Sequence, residues 1–301
     1  MPIRLVFAGH YRSGSTAIFE IMRRTLYKWN KNAIVLYEPF HPELPDKLKN
    51  WEIGKKDVLH GLNLWDDYFK LKDRELEDLI SLHPGKTVYE SINEVREYLD
   101  YIHSLPYDIY LQPNRSHYFA LDMRIRYRCK YLHTYRNPIV TWFDYLPPEV
   151  RNNKQLFKRV SLREDYDDYS THAFYLPDEY EMISKRFDAD VASNVLQRFY
   201  VVWLYNNYYA YISSDATVYF RSLVLNPLKI AMRINNIVGH KLFDNESLSI
   251  LDVNKEISNK FLPMFMSGDF DSVIQKLNFE PFNEIRRYLI KERRWDFFQN
   301  L

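Results

Sequence analysis

Tyr11-Arg12-Ser13-Gly14-Ser15-Thr16 is the stretch of this chain with the most evident capacity for chemistry. It lies between an apolar, strand-like run at Ile3 to Ala8 and a helix-like run that starts at Ser15. The chain has only 7 glycines in 301 residues, so Gly9 and Gly14 falling at this one turn mark a backbone that must approach something closely. A strand feeding a small polar turn that opens a helix aims backbone N–H groups and the positive helix end at one point. Such a point binds phosphate or sulfate. The simpler reading of the same residues is an ordinary strand–turn–helix connection with Ser13 as the helix cap.

The turn is not a Walker A loop, which needs glycines four residues apart and then lysine and a hydroxyl for phosphates and magnesium. No lysine occupies it, and Arg12 precedes the Ser-Gly-Ser-Thr turn. The three-glycine spacing of a dinucleotide fingerprint is also missing. Arginine suits an oxyanion that takes planar, bidentate contacts without a metal.

The elements that would position this loop can be read in order. From Ser15, Ala17, Ile18, Ile21, Met22 and Leu26 recur at helical spacing. Ala33 to Tyr37 is a second apolar run, closed by Glu38-Pro39-Phe40-His41-Pro42. Residues 43 to 115 are mostly helical in pattern, with charge-rich segments at Lys72 to Leu82 and Glu90 to His103. Tyr118 to Met123 and Lys130 to Tyr135 read as strands, the second leading into Arg136-Asn137-Pro138. A long apolar helix covers Val195 to Ile212, Thr217 to Phe220 is a further strand, and Leu225-Asn226-Pro227-Leu228 starts a helix to about Val238. Strands alternating with helices predict a three-layer α/β/α domain with a mostly parallel central sheet. A single domain is expected over 1–301, with an insertion at 146–181 and a helical segment at 240–301. The insertion's charged stretch, Arg163 to Asp168, lacks the spacing and glycine of a calcium loop and reads as a solvated surface.

Apolar residues at 46% and charged residues at 27% are the balance of a globular protein. A net charge of +1 gives no bulk attraction for nucleic acid or a membrane surface, so an anion site must be local. Cys129 is the only cysteine, which excludes an intrachain disulfide and a cysteine-rich zinc site. Met1 to Ala8 lack the apolar core of a signal peptide, and no uncharged apolar run reaches the roughly 18 residues of a membrane span. A cytoplasmic protein is the expectation.

Four segments together resemble the sulfotransferase superfamily. Tyr11 to Thr16 after a strand is similar to its phosphosulfate-binding loop, in the arginine form of the carbohydrate and tyrosylprotein enzymes. Lys130-Tyr131-Leu132-His133-Thr134-Tyr135-Arg136-Asn137-Pro138 is similar to its second motif, a strand ending in Arg-Asp/Asn-Pro. Glu38-Pro39 resembles the Glu-Pro of the carbohydrate enzymes, where the tyrosylprotein enzymes place a catalytic glutamate. Val218 to Pro227 resembles the late Tyr-Glu-Asp-Leu-Val-x-x-Pro segment, with Arg221-Ser222 in place of the acidic pair. The resemblance covers about residues 3 to 239.

It implies a P-loop NTPase-like sulfotransferase fold and transfer of a sulfuryl group from 3′-phosphoadenosine 5′-phosphosulfate, as co-substrate, to a hydroxyl or amine. The acceptor would be carbohydrate or tyrosine-like, and no metal is needed. Arg12, Ser13, Gly14, Ser15 and Thr16 would hold the phosphosulfate, with Arg12 also catalytic, and Arg136 would bind the 3′-phosphate. Glu38 would be the general base, with His41 on the acceptor side as a reserve base. The family usually places a serine on the 3′-phosphate eight positions after the motif arginine; here that position is Asp144, with Thr141 one turn earlier. Two other readings stay open: a non-catalytic protein of this fold, and a magnesium-dependent phosphotransferase or nucleotide hydrolase.

Overall fold

The computed structural model describes residues 2–57, 60–163 and 176–251, together with Ser272 and Lys276. The described residues fall into two compact units, one of those up to 135 and from 210 to 251, the other of those from 136 to 209 with Ser272 and Lys276.

The first unit is built on a five-stranded sheet in the order β2-β3-β1-β4-β5, every pairing parallel. The strands are β1 (Ile3–Gly9), β2 (Ala33–Tyr37), β3 (Asp108–Gln112), β4 (Lys130–Tyr135) and β5 (Ala216–Tyr219). All of β2 and all but Arg4 of β1 are buried. Alternate residues of a strand point to opposite faces, so both faces of the sheet are covered, as an apolar run without polar alternation requires. Helices α1 (Ser15–Trp29), α2 (Leu44–Lys49), α3 (Asp73–Ser81), α4 (Arg96–Ser104) and α5 (Ala120–Tyr127) connect the first four strands. One apolar cluster runs through this unit, from Phe7 and Ile109 in the sheet to Phe19, Phe40, Leu99 and Ile234 in the elements around it. The chain leaves β1 toward β2 on one side and reaches β4 and β5 on the other. The winding therefore reverses at β1, and the carboxyl ends flanking such a reversal form the crevice where open α/β sheets bind ligands.

In the second unit, α6 (Pro138–Tyr145) is followed by α7 (Pro148–Arg151), α8 (Lys154–Ser161) and α9 (Leu176–Phe187). Then α10 (Val195–Ser213) carries the chain back toward the first unit's residues. Trp142 and Tyr145 pack on Phe199 at ring distances of 5.2 and 5.3 Å, and Trp142 Nε1 donates to Ser161 Oγ at 2.9 Å. These buried rings give the unit an apolar centre of its own. After β5 come α11 (Phe220–Leu225), α12 (Pro227–Val238) and α13 (Asn245–Leu248) in the first unit.

The parallel α/β sheet agrees with the sequence, and four strands stand at or within a residue or two of the expected places. The fifth does not. Tyr118 to Met123 is a 3-10 turn (His117–Phe119) running into α5. Ala120, Met123 and Tyr127 are buried while Leu121 and Ile125 are exposed, which is helical spacing and not alternation. The missing strand is β3, inside the stretch expected to be helical. Its apolar run, Ile109-Tyr110-Leu111, is too short to show a period and is flanked by Pro106 and Pro113. The insertion expected at 146–181 contains α7, α8 and the start of α9, but its acidic stretch 164–168 lies outside the described residues. So does nearly all of the C-terminal segment beyond Leu251.

Gly9 closes β1 because nothing larger fits. A Cβ there would stand 2.3 Å from Ser13 Oγ, 2.4 Å from Thr134 Cγ2 and 3.0 Å from the Thr134 carbonyl of the paired strand. Gly9→Ala must push the loop off the sheet or open the β1–β4 pairing. It is expected to lower unfolding stability by about 1–3 kcal/mol, read as a lower urea midpoint. A midpoint equal to wild type would show that the turn is not packed this tightly.

Candidate active site

The loop after β1 owes its shape to two left-handed residues, Arg12 at φ 61° and Gly14 at φ 88°. Alternation of left- and right-handed residues turns successive N–H groups toward one side, forming an anion-binding concavity. Ser13 N–H donates to the His10 carbonyl at 3.0 Å and closes the turn. Gly14 is the cap residue of α1 and no side chain caps the helix, so Ser13 is not a helix cap. The first i→i−4 bond of α1 runs from Ile18 N–H to the Gly14 carbonyl at 3.2 Å. The N–H groups of the first turn thus have no intrahelical acceptor, which is the condition for an anion at a helix start. Ser13 Oγ is buried and makes no hydrogen bond among the described residues. Phe220, from the late segment singled out in the sequence, lies where a Gly14 Cβ would be, with its nearest ring carbon at 2.3 Å.

The end of β2 is tied to this loop. Thr16 Oγ1 and the Tyr37 hydroxyl are 3.0 Å apart, and the Tyr68 hydroxyl donates to the Tyr37 carbonyl at 2.9 Å. Glu38 follows at φ 41°, a left-handed conformation costing a non-glycine residue on the order of 1–3 kcal/mol. Its backbone N–H is held by the Gln112 carbonyl at 2.9 Å. Pro39 comes next, and Phe40 then anchors the turn against Tyr89 and Phe119. Strain of this kind persists only where the surroundings fix it.

Those surroundings come from the end of β3, which the sequence did not single out. Asn114 Nδ2 donates to Glu38 Oε1 at 2.6 Å, and Gln112 Nε2 donates to Asn114 Oδ1 at 2.7 Å. Arg115 Nη1 is 3.8 Å from Glu38 Oε2. Its guanidinium also lies over the Tyr11 ring, 5.0 Å from the centroid, while Arg115 Nε donates to the Thr87 carbonyl at 3.0 Å. A single buried arginine thus joins the loop, Glu38 and the segment before α4. The usable signal was the polar run Gln112-Pro113-Asn114-Arg115-Ser116 closing a short apolar one.

His41 N–H donates to the Glu38 carbonyl at 2.9 Å, and its ring meets Trp65 edge-on at 5.8 Å. Glu43 N–H donates to His41 Nδ1 at 3.2 Å, so that nitrogen is an acceptor and the ring proton is on Nε2. Burial, reinforced by the Arg115 charge, holds the His41 pKa down to about 2. His10, behind the loop, is held down to about 3 by burial, and His117 is likewise lowered by burial and by the neighbouring His133.

Arg136 stands just past β4, at the start of the second unit. Asn137 caps α6 by accepting from Ile139 N–H at 2.9 Å and Val140 N–H at 3.3 Å, and Pro138 occupies the first helical position. That explains Arg-Asn-Pro as a strand-to-helix joint. Arg136 Nη1 is bonded to Asp144 Oδ2. Thr141 is buried with its hydroxyl donated to the Asn137 carbonyl at 2.9 Å, so it is directed at its own helix.

Among the described residues, no cluster of histidine, cysteine and carboxylates is arranged to hold a metal, and no helix is long and apolar enough to cross a membrane. No family model matches the chain. An uncharacterized protein of Archaeoglobus fulgidus is 29% identical, over 75% of this chain and 81% of its own. Among solved structures, a sulfotransferase from Alicyclobacillus acidocaldarius is similar over 92% of this chain and 96% of its own, at 13% identity and a TM-score of 0.39. Mouse sulfotransferase SULT7A1, complexed with PAP, matches over 97% and 88% at 12% identity and a TM-score of 0.45. The sulfotransferase domain of the curacin biosynthetic pathway matches over 93% and 99% at 11% identity and a TM-score of 0.44.

The depressed histidines make stability depend on pH. His10 and His41 are neutral in the folded chain and would protonate near pH 6.5 once unfolded. Below that pH the unfolded state binds more protons, so stability falls with pH from about 6.5 toward 3, by up to ~1.4 kcal/mol per pH unit for each histidine. The urea midpoint is therefore expected to drop between about pH 7 and pH 5. An unchanged midpoint would mean that these rings are not held neutral.

Proposed function

We propose that this protein is a sulfotransferase, moving a sulfuryl group from 3′-phosphoadenosine 5′-phosphosulfate to a hydroxyl or amine of a carbohydrate or tyrosine-like acceptor. The observation that carries the reading is the placement of Glu38. A carboxylate in a left-handed turn at the end of β2 is fixed by Asn114 and Arg115 and tied through Tyr37 to a lysine-free anion loop that carries Arg12.

In this reading the first-turn N–H groups of α1, the Ser13, Ser15 and Thr16 positions and Arg12 cradle the phosphosulfate. They favour the charge that grows on the leaving phosphate. The acceptor oxygen or nitrogen forms a new bond to sulfur while the bond from sulfur to the bridging phosphate oxygen breaks. The nucleotide leaves with that electron pair, and the acceptor proton passes to Glu38. Asn114 and Arg115 hold the carboxylate in position. His41, neutral with Nε2–H, is suited to donating a hydrogen bond on the acceptor side rather than to replacing Glu38 as base. Arg136 is the residue for the far end of the nucleotide. No metal is required.

A non-catalytic protein of this fold is the second reading, favoured by the Arg136–Asp144 pairing, which engages the arginine expected to face a phosphate. Calorimetric titration with 3′-phosphoadenosine 5′-phosphate (PAP), beside ATP with magnesium, separates the possibilities. Metal-free binding of PAP is expected, weakened about tenfold or more in Arg12→Ala. Glu38→Gln should bind PAP normally and lose about 100-fold or more in transfer. Binding of ATP with magnesium and not of PAP would mark a phosphotransferase instead. Normal nucleotide binding with full transfer by Glu38→Gln would remove Glu38 as the base.

A further inference from the structure

Beyond β5 the first unit builds a groove of about 530 Å³ between α12 and the turn that leads into α13. Leu228, Ala231 and Met232 of α12 form one wall, and Phe243, Asp244 and Glu246 the other. The two walls are tied together. Asn235 Nδ2 donates to the Phe243 carbonyl at 3.0 Å, and its Oδ1 accepts from Leu242 N–H at 2.8 Å and Phe243 N–H at 3.1 Å. Lys28 of α1 holds the far wall by pairing with Asp244 at 3.1 Å and Glu246 at 2.8 Å. Leu228 and Met232 are nevertheless 52% and 66% exposed, so the α12 wall also stands out as an apolar ridge, continued by the exposed Leu225.

Charge is ordered across this surface. Lys229 and Arg233 each follow a ridge residue by one position, which turns them about 100° further round the helix, away from Ala231 and Asn235 on the groove side. Both are exposed, and neither has an ion-pair partner among the described residues. The order is therefore basic flank, apolar ridge, groove, acidic wall. On that wall the Glu246 side chain keeps 85% of its exposure beside Lys28. Lys241 borders the groove too, but its ammonium lies over the Trp29 ring, 4.4 Å from the centroid.

We infer that this face docks a second copy of the chain, α12 beside α12, about a two-fold axis parallel to the helices. Such a rotation seats the ridge of each copy in the groove of the other. It also brings Lys229 and Arg233 of each copy opposite Asp244 and Glu246 of the other, so the contact is self-complementary, as a closed dimer requires. A two-fold at right angles to α12 would set basic flank against basic flank and ridge against ridge. The order of charges thus selects one arrangement. Burial of the ridge supplies the attraction, and the charges fix the register, since exposed pairs add little by themselves. No residue of the loop, of Glu38 or of its partners takes part, so the dimer stands or falls apart from sulfuryl transfer.

Sedimentation of the full chain tests this. Wild type is expected to dimerise in the micromolar range, and Met232→Glu to weaken the dimer about tenfold or more. Arg233→Glu and Glu246→Lys, each alone, set like charges at both edges of the dimer and should weaken it about tenfold. Mixing these two variants should restore a dimer within about threefold of wild type, because opposite charges then meet at both edges. Recovery on mixing also shows that both variants are folded. A wild type that stays monomeric at ~100 µM would overturn the inference, whether the face is covered by the chain itself or kept for another partner. A dimer unaffected by all three variants would overturn it as well, since the contact would lie elsewhere. Weakening without recovery on mixing, in variants with wild-type circular dichroism, would overturn the two-fold arrangement.

Discussion

The pairing of Arg115 with Glu38 is the interaction on which the ends of three strands depend. The arginine side chain is 2% exposed and the glutamate side chain 11%, so neither charge is fully hydrated. Removing one partner from such a pair leaves an uncompensated buried charge, which is far costlier than never having built the pair. Arg115 is therefore obliged to stay where Glu38, the Thr87 carbonyl and the Tyr11 ring can all reach it. The loop after β1, the turn after β2 and the end of β3 are locked to one another as a result. Glu38 can hold its left-handed backbone because Asn114, Arg115 and the Gln112 carbonyl determine its position more than its own conformational preference does.

Close backbone approach does the same on the other side of the loop. Gly9 lets Ser13 and Thr134 pack against the end of β1, and Gly14 makes room for the Phe220 ring. The late segment of the chain thereby packs its Phe220 ring against the start of α1. Net charge is +1, so any attraction for an anion would have to come from backbone N–H groups and from a few placed arginines. The histidines next to these elements are held neutral by burial, which keeps further positive charge out of the interior behind the loop.

Arg136 illustrates how a motif can have two explanations at once. Asn137 and Pro138 are accounted for by helix capping alone, and the arginine by its bond to Asp144 within its own unit. A strand-to-helix joint of this kind needs no ligand to be stable. The opposition of Asp144 and Arg136, which the sequence presented as a departure from a motif, becomes in three dimensions a completed ion pair with Arg151 as second partner.

The sequence by itself determined the parallel α/β architecture, the two-glycine turn after β1 and the Glu38-Pro39 turn after β2. Each of these is written in local chemistry: continuous apolar runs at β1, β2 and β4, two glycines at one turn, and a carboxylate between a strand and a proline. Only the tertiary structure decided the rest. β3 is a five-residue strand whose three central apolar residues carry no readable period, and it is a strand because β1 and β2 pair with it on either side. Tyr118 to Met123 contains enough apolar residues to pass for a strand, yet the faces it buries and exposes make it helical. Asn114 and Arg115 become site residues only through a contact with Glu38 some 76 positions away in the chain, and no local pattern encodes a partner at that distance.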